Sequence, residues 1–474
     1  MNDNSKDYSA IDASCRVPLL AILGGAVVWL VVGLILAIVA SLTFHMPEKF
    51  GNCAWLTYGR IQPAANDAIL YGFAIPAALG VILWIFARMS ETELLLPLVP
   101  IVASNLWNFG VLIGVVGIFI GDSTGFAWLE FPRPAAILLF VSFMLIAISA
   151  LATFGARRNR TLQPPQWFLL ASLFWFPWIY STANLFLVAF PVRGVAQAVI
   201  DWWFTNNLLF VWLGLVGLGI AFYLMSKIPG RPVQDTYFAQ FGFWTFILFA
   251  PWCGMPQEAP VPAWLPAASS VASALTLIPL IAFGAVYCKT TSGVNVECKG
   301  GPYCYAKFAT MAFILSSLMY LCCNCPHFGR ILDQTWFVPA QTQFQIWGFF
   351  AIAVCGAIYE LLPGVMEFEL PLPKFVRFQH WAFMAGVALL VVPLAWGGIV
   401  QGLNLHNPNV PFTNILQGTL LYLRISTMGL LLLLLGSLMF AANIFLMSTK
   451  WHMGLVKCIT TVIKDSLAAG EVKS

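Results

Sequence analysis

Twelve runs of more than twenty largely apolar residues, each closed off by Pro, Gly or charge, recur along the 474-residue chain. A bilayer core roughly 30 Å thick takes about 20 such residues per helix, and inside it the backbone must satisfy its own hydrogen bonds. The predicted fold class is therefore all-α integral membrane, a twelve-transmembrane-helix bundle. The spans are 17–44, 65–87, 94–120, 134–155, 165–190, 199–226, 236–257, 264–288, 303–323, 338–363, 377–402 and 416–447. Arg157-Arg158-Asn159-Arg160 closes the fourth, and Pro371-Leu372-Pro373 precedes the eleventh. Only 9% of residues are charged, against about 25% in soluble domains, which excludes a water-soluble globule.

Orientation follows from Lys and Arg in alternate loops. With both termini cytoplasmic, the inner side holds Lys6, Arg16, Arg88, Arg157, Arg158, Arg160, Lys227, Arg231, Lys289, Lys299, Lys307, Lys374, Arg377, Lys450, Lys457, Lys464 and Lys473. The outer side holds Lys49, Arg60, Arg133, Arg193 and Arg330, and Arg424 falls within the last helix. This asymmetry predicts a multi-pass protein of the cell inner membrane. It has a cytoplasmic segment 1–16, a membrane domain 17–447 and a cytoplasmic tail 448–474. Asp3, Lys6, Asp7, Asp12 and Arg16 do not form the basic start of a secretory signal, so the first run is expected to stay as a helix. A net charge of +4 offers no basic stripe for nucleic acid. Membrane lipid is the expected surrounding.

Ionisable groups are costly in hydrocarbon and mark pathways or cofactors. Asp67 near the start of the second run and Glu360 near the end of the tenth are read as helix-end groups in contact with water; Arg424 is a further charge, about one third into the last span. Trp202-Trp203, Trp264, Trp336, Trp347, Trp381 and Trp396 lie near helix ends, where an aromatic belt would put them. Cys322, Cys323, Cys325 and His327 form the one local group of metal-ligand types. Adjacent residues on a helix diverge by about 100°, so a closed tetrahedral site from this stretch is strained. Packed thiols with a loop disulfide are the preferred reading, Cys53 and Cys253 being other outer-face candidates. The remaining histidines are His45, His380, His406 and His452.

The helix plan and several strings resemble subunit I of the heme-copper oxidases, particularly the C-type branch, over roughly residues 20–448. The strings are Tyr58-Gly59-Arg60 with Pro63, Leu129-Glu130-Phe131-Pro132, Trp202-Trp203 with Asn207, and Arg231-Pro232-Val233. Pro262 with Trp264, then Gly348, Gly356, Tyr359 and Pro363, Gly398-Ile399-Val400-Gln401-Gly402-Leu403, and Arg424 follow in the same order. In that family six histidines ligate two hemes and one copper, imidazole suiting both metals. The resemblance puts the low-spin heme ligands on Ala65 and Gln343, and the proximal high-spin ligand on Gln341. It puts the copper ligands on Asn206, Gly254 and Met255. None is His, and no His occurs between His45 and His327. The expectation is a subunit I scaffold without catalytic residues, heme or copper, those six positions being vestigial.

Three functions are weighed. The first is a noncatalytic structural subunit of a respiratory or electron-transfer membrane complex, with cytochrome c-type or other redox partner subunits. The second is a catalytic terminal oxidase or nitric oxide reductase, with heme and copper. The third is a transporter using the vacated cavity. A carrier of this size would be expected to show an inverted repeat or paired broken helices, and no convincing repeat is visible.

Overall fold

The computed structural model describes residues 8–50, 53–296 and 300–471, with side chains omitted for 458 and 462–471. Asp3, Lys6, Asp7, Lys299 and Lys473 of the charge pattern lie outside the described residues, and so does the side chain of Lys464. Eleven helices among the described residues are long and apolar enough to cross a membrane. They are α1 (Ser9–His45), α2 (Tyr58–Ser90), α3 (Leu98–Ile120), α4 (Arg133–Gly155), α5 (Pro164–Ala189) and α6 (Val195–Lys227). After α7 (Thr236–Phe249) come α8 (Trp264–Thr291), α9 (Pro302–Asn324), α10 (Phe337–Met366), α11 (Pro373–Leu405) and α12 (Phe412–Glu471).

The predicted seventh run, 236–257, is where sequence and structure part. α7 has fourteen residues and ends in a single turn at Ala250–Trp252, about 21 Å of helix at 1.5 Å per residue. Pro251 and Pro256 end it, since proline withholds the N–H that the next turn needs. It still pairs antiparallel with α8. Asp235, capping its start, forms an ion pair with Lys289 at the end of α8. Beyond its far end, the Met255 N–H donates to the Ser269 hydroxyl early in α8 at 3.0 Å. Among the described residues, α7 is thus a twelfth, shorter helix packed beside the eleven that are long enough to cross a membrane.

α2 and α6 are wholly enclosed over their most apolar eighteen residues, and α10 nearly so; at most half of that stretch is buried in each of the other long helices. A helix apolar on all sides belongs in the interior. Trp84, Trp212 and Trp347 are among the large side chains closed inside. Trp347 is thus a core residue rather than part of a belt, whereas Trp264, Trp381 and Trp396 are exposed. α1 and α12 begin earlier and end later, respectively, than their apolar runs: helix starts at Ser9, within the predicted terminal segment, and continues to Glu471 through the predicted tail.

One end of the bundle is tied by charge. Arg88 on α2 grips Asp12 on α1 with two nitrogens, Nε lying 2.7 Å from Oδ1, and Trp84 Nε1 donates to the same oxygen at 3.0 Å. Lys227 at the end of α6 sits 3.2 Å from Glu360 on α10 and 4.5 Å from the Trp84 ring centroid. Glu360 therefore is a helix-end group, partly exposed as its position implied. Asp67 is not: it is fully buried. The helix carrying it already starts at Tyr58, so Asp67 lies more than two turns inside.

Candidate functional site

The three central helices share a local distortion. α2 is π-helical over Ala68–Ala74, α6 over Asn207–Trp212 and α10 over Phe344–Ala351. Each segment starts one to three residues after a position singled out from sequence: Ala65, Asn206 and Gln343. Widened turns of this kind often accompany functional sites. A fourth, Asn184–Ala189, ends α5.

A cavity of about 630 Å³ lies where α6, the end of α7, α9 and α10 converge. Asn206, Gly254, Met255 and Gln341 all line it, so four of the six singled-out positions come together. Ala65, fully buried on α2, and half-buried Gln343 are not among its lining residues.

Its polar groups are tied to one another. Asn206 Nδ2 donates to the Ala250 carbonyl at 2.9 Å, and its Oδ1 accepts from the Tyr320 hydroxyl at 2.5 Å. The Gly254 N–H donates to Asn324 Oδ1 at 3.1 Å. Gly254 adopts φ +92°, a conformation that a side chain disfavours. A Cβ built there would lie 2.6 Å from Tyr320 Oη and 2.8 Å from Asn206 Cβ. Gln341 Nε2 reaches the Ser316 carbonyl at 3.5 Å, while the Ser316 hydroxyl donates to Gln345 Oε1 at 2.5 Å. Both amide ends of Asn206 are committed, and the space beside Gly254 is closed by Tyr320.

Tyr320, Asn324, Ser316 and Gln345 escaped the sequence reading. Tyr320 and Asn324 stand four residues apart on one face of α9, next to the cysteines that drew attention instead. Of these, Cys322 is exposed, and Cys323 is buried and lines the cavity. His327 is exposed. No group of three or more His, Cys, Asp or Glu placed to hold a metal occurs among the described residues. Cys53, Cys253, Cys322, Cys323 and Cys325 are all free thiols, so the expected outer-face disulfide is not formed.

Two carboxyls meet elsewhere. Asp67 lies beside Glu130 in the loop between α3 and α4, and neither of its carboxyl oxygens has a hydrogen-bond partner. Burial pushes Glu130 up to about 7, and Asp201 adds to the shift. A carboxyl raised on folding gives stability that is fully present below its unfolded value, 4.5, and lost as pH rises through about 7. Thermal unfolding in detergent is expected to shift to lower temperature between about pH 5 and about pH 8, and Glu130→Gln to flatten that slope. An equal slope in the variant contradicts this assignment.

Residues 17–432 match the family model described as cytochrome c and quinol oxidase polypeptide I. The chain is 22% identical over 449 residues to the cbb3-type cytochrome c oxidase subunit CcoN1 of Stutzerimonas stutzeri, covering 89% of this chain and 91% of that one. A cytochrome c oxidase subunit 1 homolog of Azorhizobium caulinodans is also 22% identical over 449 residues, covering 90% and 80%. A solved heme-copper terminal oxidase dimer superimposes with a TM-score of 0.65 at 13% identity, over 92% of this chain and 84% of that chain, which establishes a shared fold.

Proposed function

Because the chain belongs to the cytochrome c and quinol oxidase polypeptide I family, a family of multi-pass membrane proteins, we propose that it is a heme-free, copper-free form of that scaffold. Its role is that of a noncatalytic structural subunit in a respiratory or electron-transfer membrane complex. The observation that carries this reading is the closed space at Gly254, where any side chain would meet Tyr320 and Asn206.

The remaining donors point the same way. Copper and iron in such sites want imidazole or thiolate nitrogen and sulfur. Asn206 has spent both amide ends on protein groups, Ala65 has no donor atom, and Gln341 and Gln343 offer neutral amides. Met255 supplies one thioether, which does not make a copper centre. These residues do not fit the family's metals, and no reaction step is assigned to them.

The names of the relatives favour the second reading, a catalytic terminal oxidase. That reading requires oxygen reduction to proceed on amide-held metals. The two separate by isolation in mild detergent from native membranes, followed by oxygen uptake with reduced cytochrome c. The expected result is a hetero-oligomer containing cytochrome c-type or other redox subunits, and no uptake by this chain alone. A stable lone monomer, or uptake by it, contradicts the proposal. The charge asymmetry of the loops supports a cytoplasmic location for both termini, with segments 1–16 and 448–474.

A further inference from the structure

The cavity beside Asn206 is larger than its own hydrogen bonds need. At about 630 Å³ it falls in the range of small-molecule sites, roughly 300–1,000 Å³. Trp202, Trp336, Phe210 and Met255 give its walls apolar surface beside the polar Thr205, Asn206, Gln341 and Gln401. Exposed Gln334 and Val338 stand at its rim, so it is reached from outside the bundle.

Gln345 carries the chemistry. It is 1% exposed, and its Oε1 is fixed by the Ser316 hydroxyl, which turns Nε2 into the free end of the amide. That N–H group has no acceptor in the protein. A buried amide donor without an acceptor is destabilising, and native interiors rarely keep one. An occupant with an oxygen acceptor would satisfy it. No Lys, Arg or His lines the cavity among the described residues, and Asp333 lies at its edge, so an anion would meet no counter-charge and one carboxyl. Aromatic walls favour a flat body.

Resting on the heme-free reading, we infer that this cavity binds an uncharged, flat organic molecule through a carbonyl oxygen that accepts a hydrogen bond from Gln345 Nε2. The ligand's ring lies among Trp202, Trp336 and Phe210, and its carbonyl takes the hydrogen bond that the protein leaves unmade.

Coumarin is a neutral fused ring with a carbonyl; indene has a similar fused frame without it, and coumarin-3-carboxylate adds an anion. Calorimetric titration of the whole chain in lipid nanodiscs, with empty discs subtracted, should give saturable 1:1 binding of coumarin. Indene, the carboxylate, and coumarin with Gln345→Leu should each bind about tenfold more weakly or less, the effect of one buried hydrogen bond. Gln345→Glu, nearly isosteric, provides a second variant should the first misfold, and is expected to bind as poorly. Equal binding of indene, unchanged affinity in a folded Gln345 variant, or no saturable coumarin binding overturns the inference. A pyridine hemochrome assay on the same sample separates the two readings. Heme in it overturns the heme-free scaffold, whereas a heme-free sample that does not bind overturns this inference alone.

Discussion

Replacing Asp12 with Ala is expected to cost about 3–5 kcal/mol of stability, the penalty for leaving a buried charge without its partner. Arg88 and Asp12 are 15% and 5% exposed, and the guanidinium grips the carboxylate through two nitrogens while Trp84 donates to the same group. In the variant the Tyr8 ring, 4.4 Å from the guanidinium carbon, would remain as a weak substitute. Removing both partners, Asp12→Ala with Arg88→Leu, should recover most of the loss, because the penalty belongs to the stranded charge rather than to the bond. Unfolding free energies measured by steric trapping in bicelles give both values. A single variant within about 1 kcal/mol of the parent would show the pair to be solvated like a surface ion pair.

Gly254→His introduces the residue that the family resemblance places there, and it is expected to harm the protein rather than restore a site. The added Cβ meets Tyr320 Oη at 2.6 Å and Asn206 Cβ at 2.8 Å, on a backbone at φ +92°. Overpacking of this kind costs about 1–3 kcal/mol, and the left-handed conformation adds about 1–2 kcal/mol for a non-glycine residue. Loss of the Asn324 and Tyr320 hydrogen bonds would follow if the loop moves aside. A fall in melting temperature without any new copper binding is the expected pair of results, read by detergent thermal shift and metal analysis. A His variant as stable as the parent would mean that the cavity wall yields easily, and the main support for the scaffold reading would be gone.

Much of the architecture was legible because hydrophobic runs encode length directly. The central place of α2, α6 and α10 follows from those helices lacking a polar face, and the same helices carry Ala65, Asn206, Gln341 and Gln343. The failures have local causes. Residues 250–257 count as apolar, yet Pro251 and Pro256 cannot continue a helix, so α7 stops early. Asp67 looked water-exposed from its position at the edge of an apolar run, but α2 begins at Tyr58 and Glu130 from the next loop lies against it. Tyr320, Asn324 and Gln345 carry no motif. Their importance depends on which helices meet, and no spacing within α9 or α10 reveals that α6 and the end of α7 will lie opposite. The cysteine group attracted attention through residue type alone, while the structure leaves its thiols free and sends Cys322 outward.

The most direct test is the iron and copper content of the purified chain, read together by pyridine hemochrome and elemental analysis. The account predicts neither metal above background in protein that remains folded and monodisperse. One heme or more per chain, or stoichiometric copper, would contradict it.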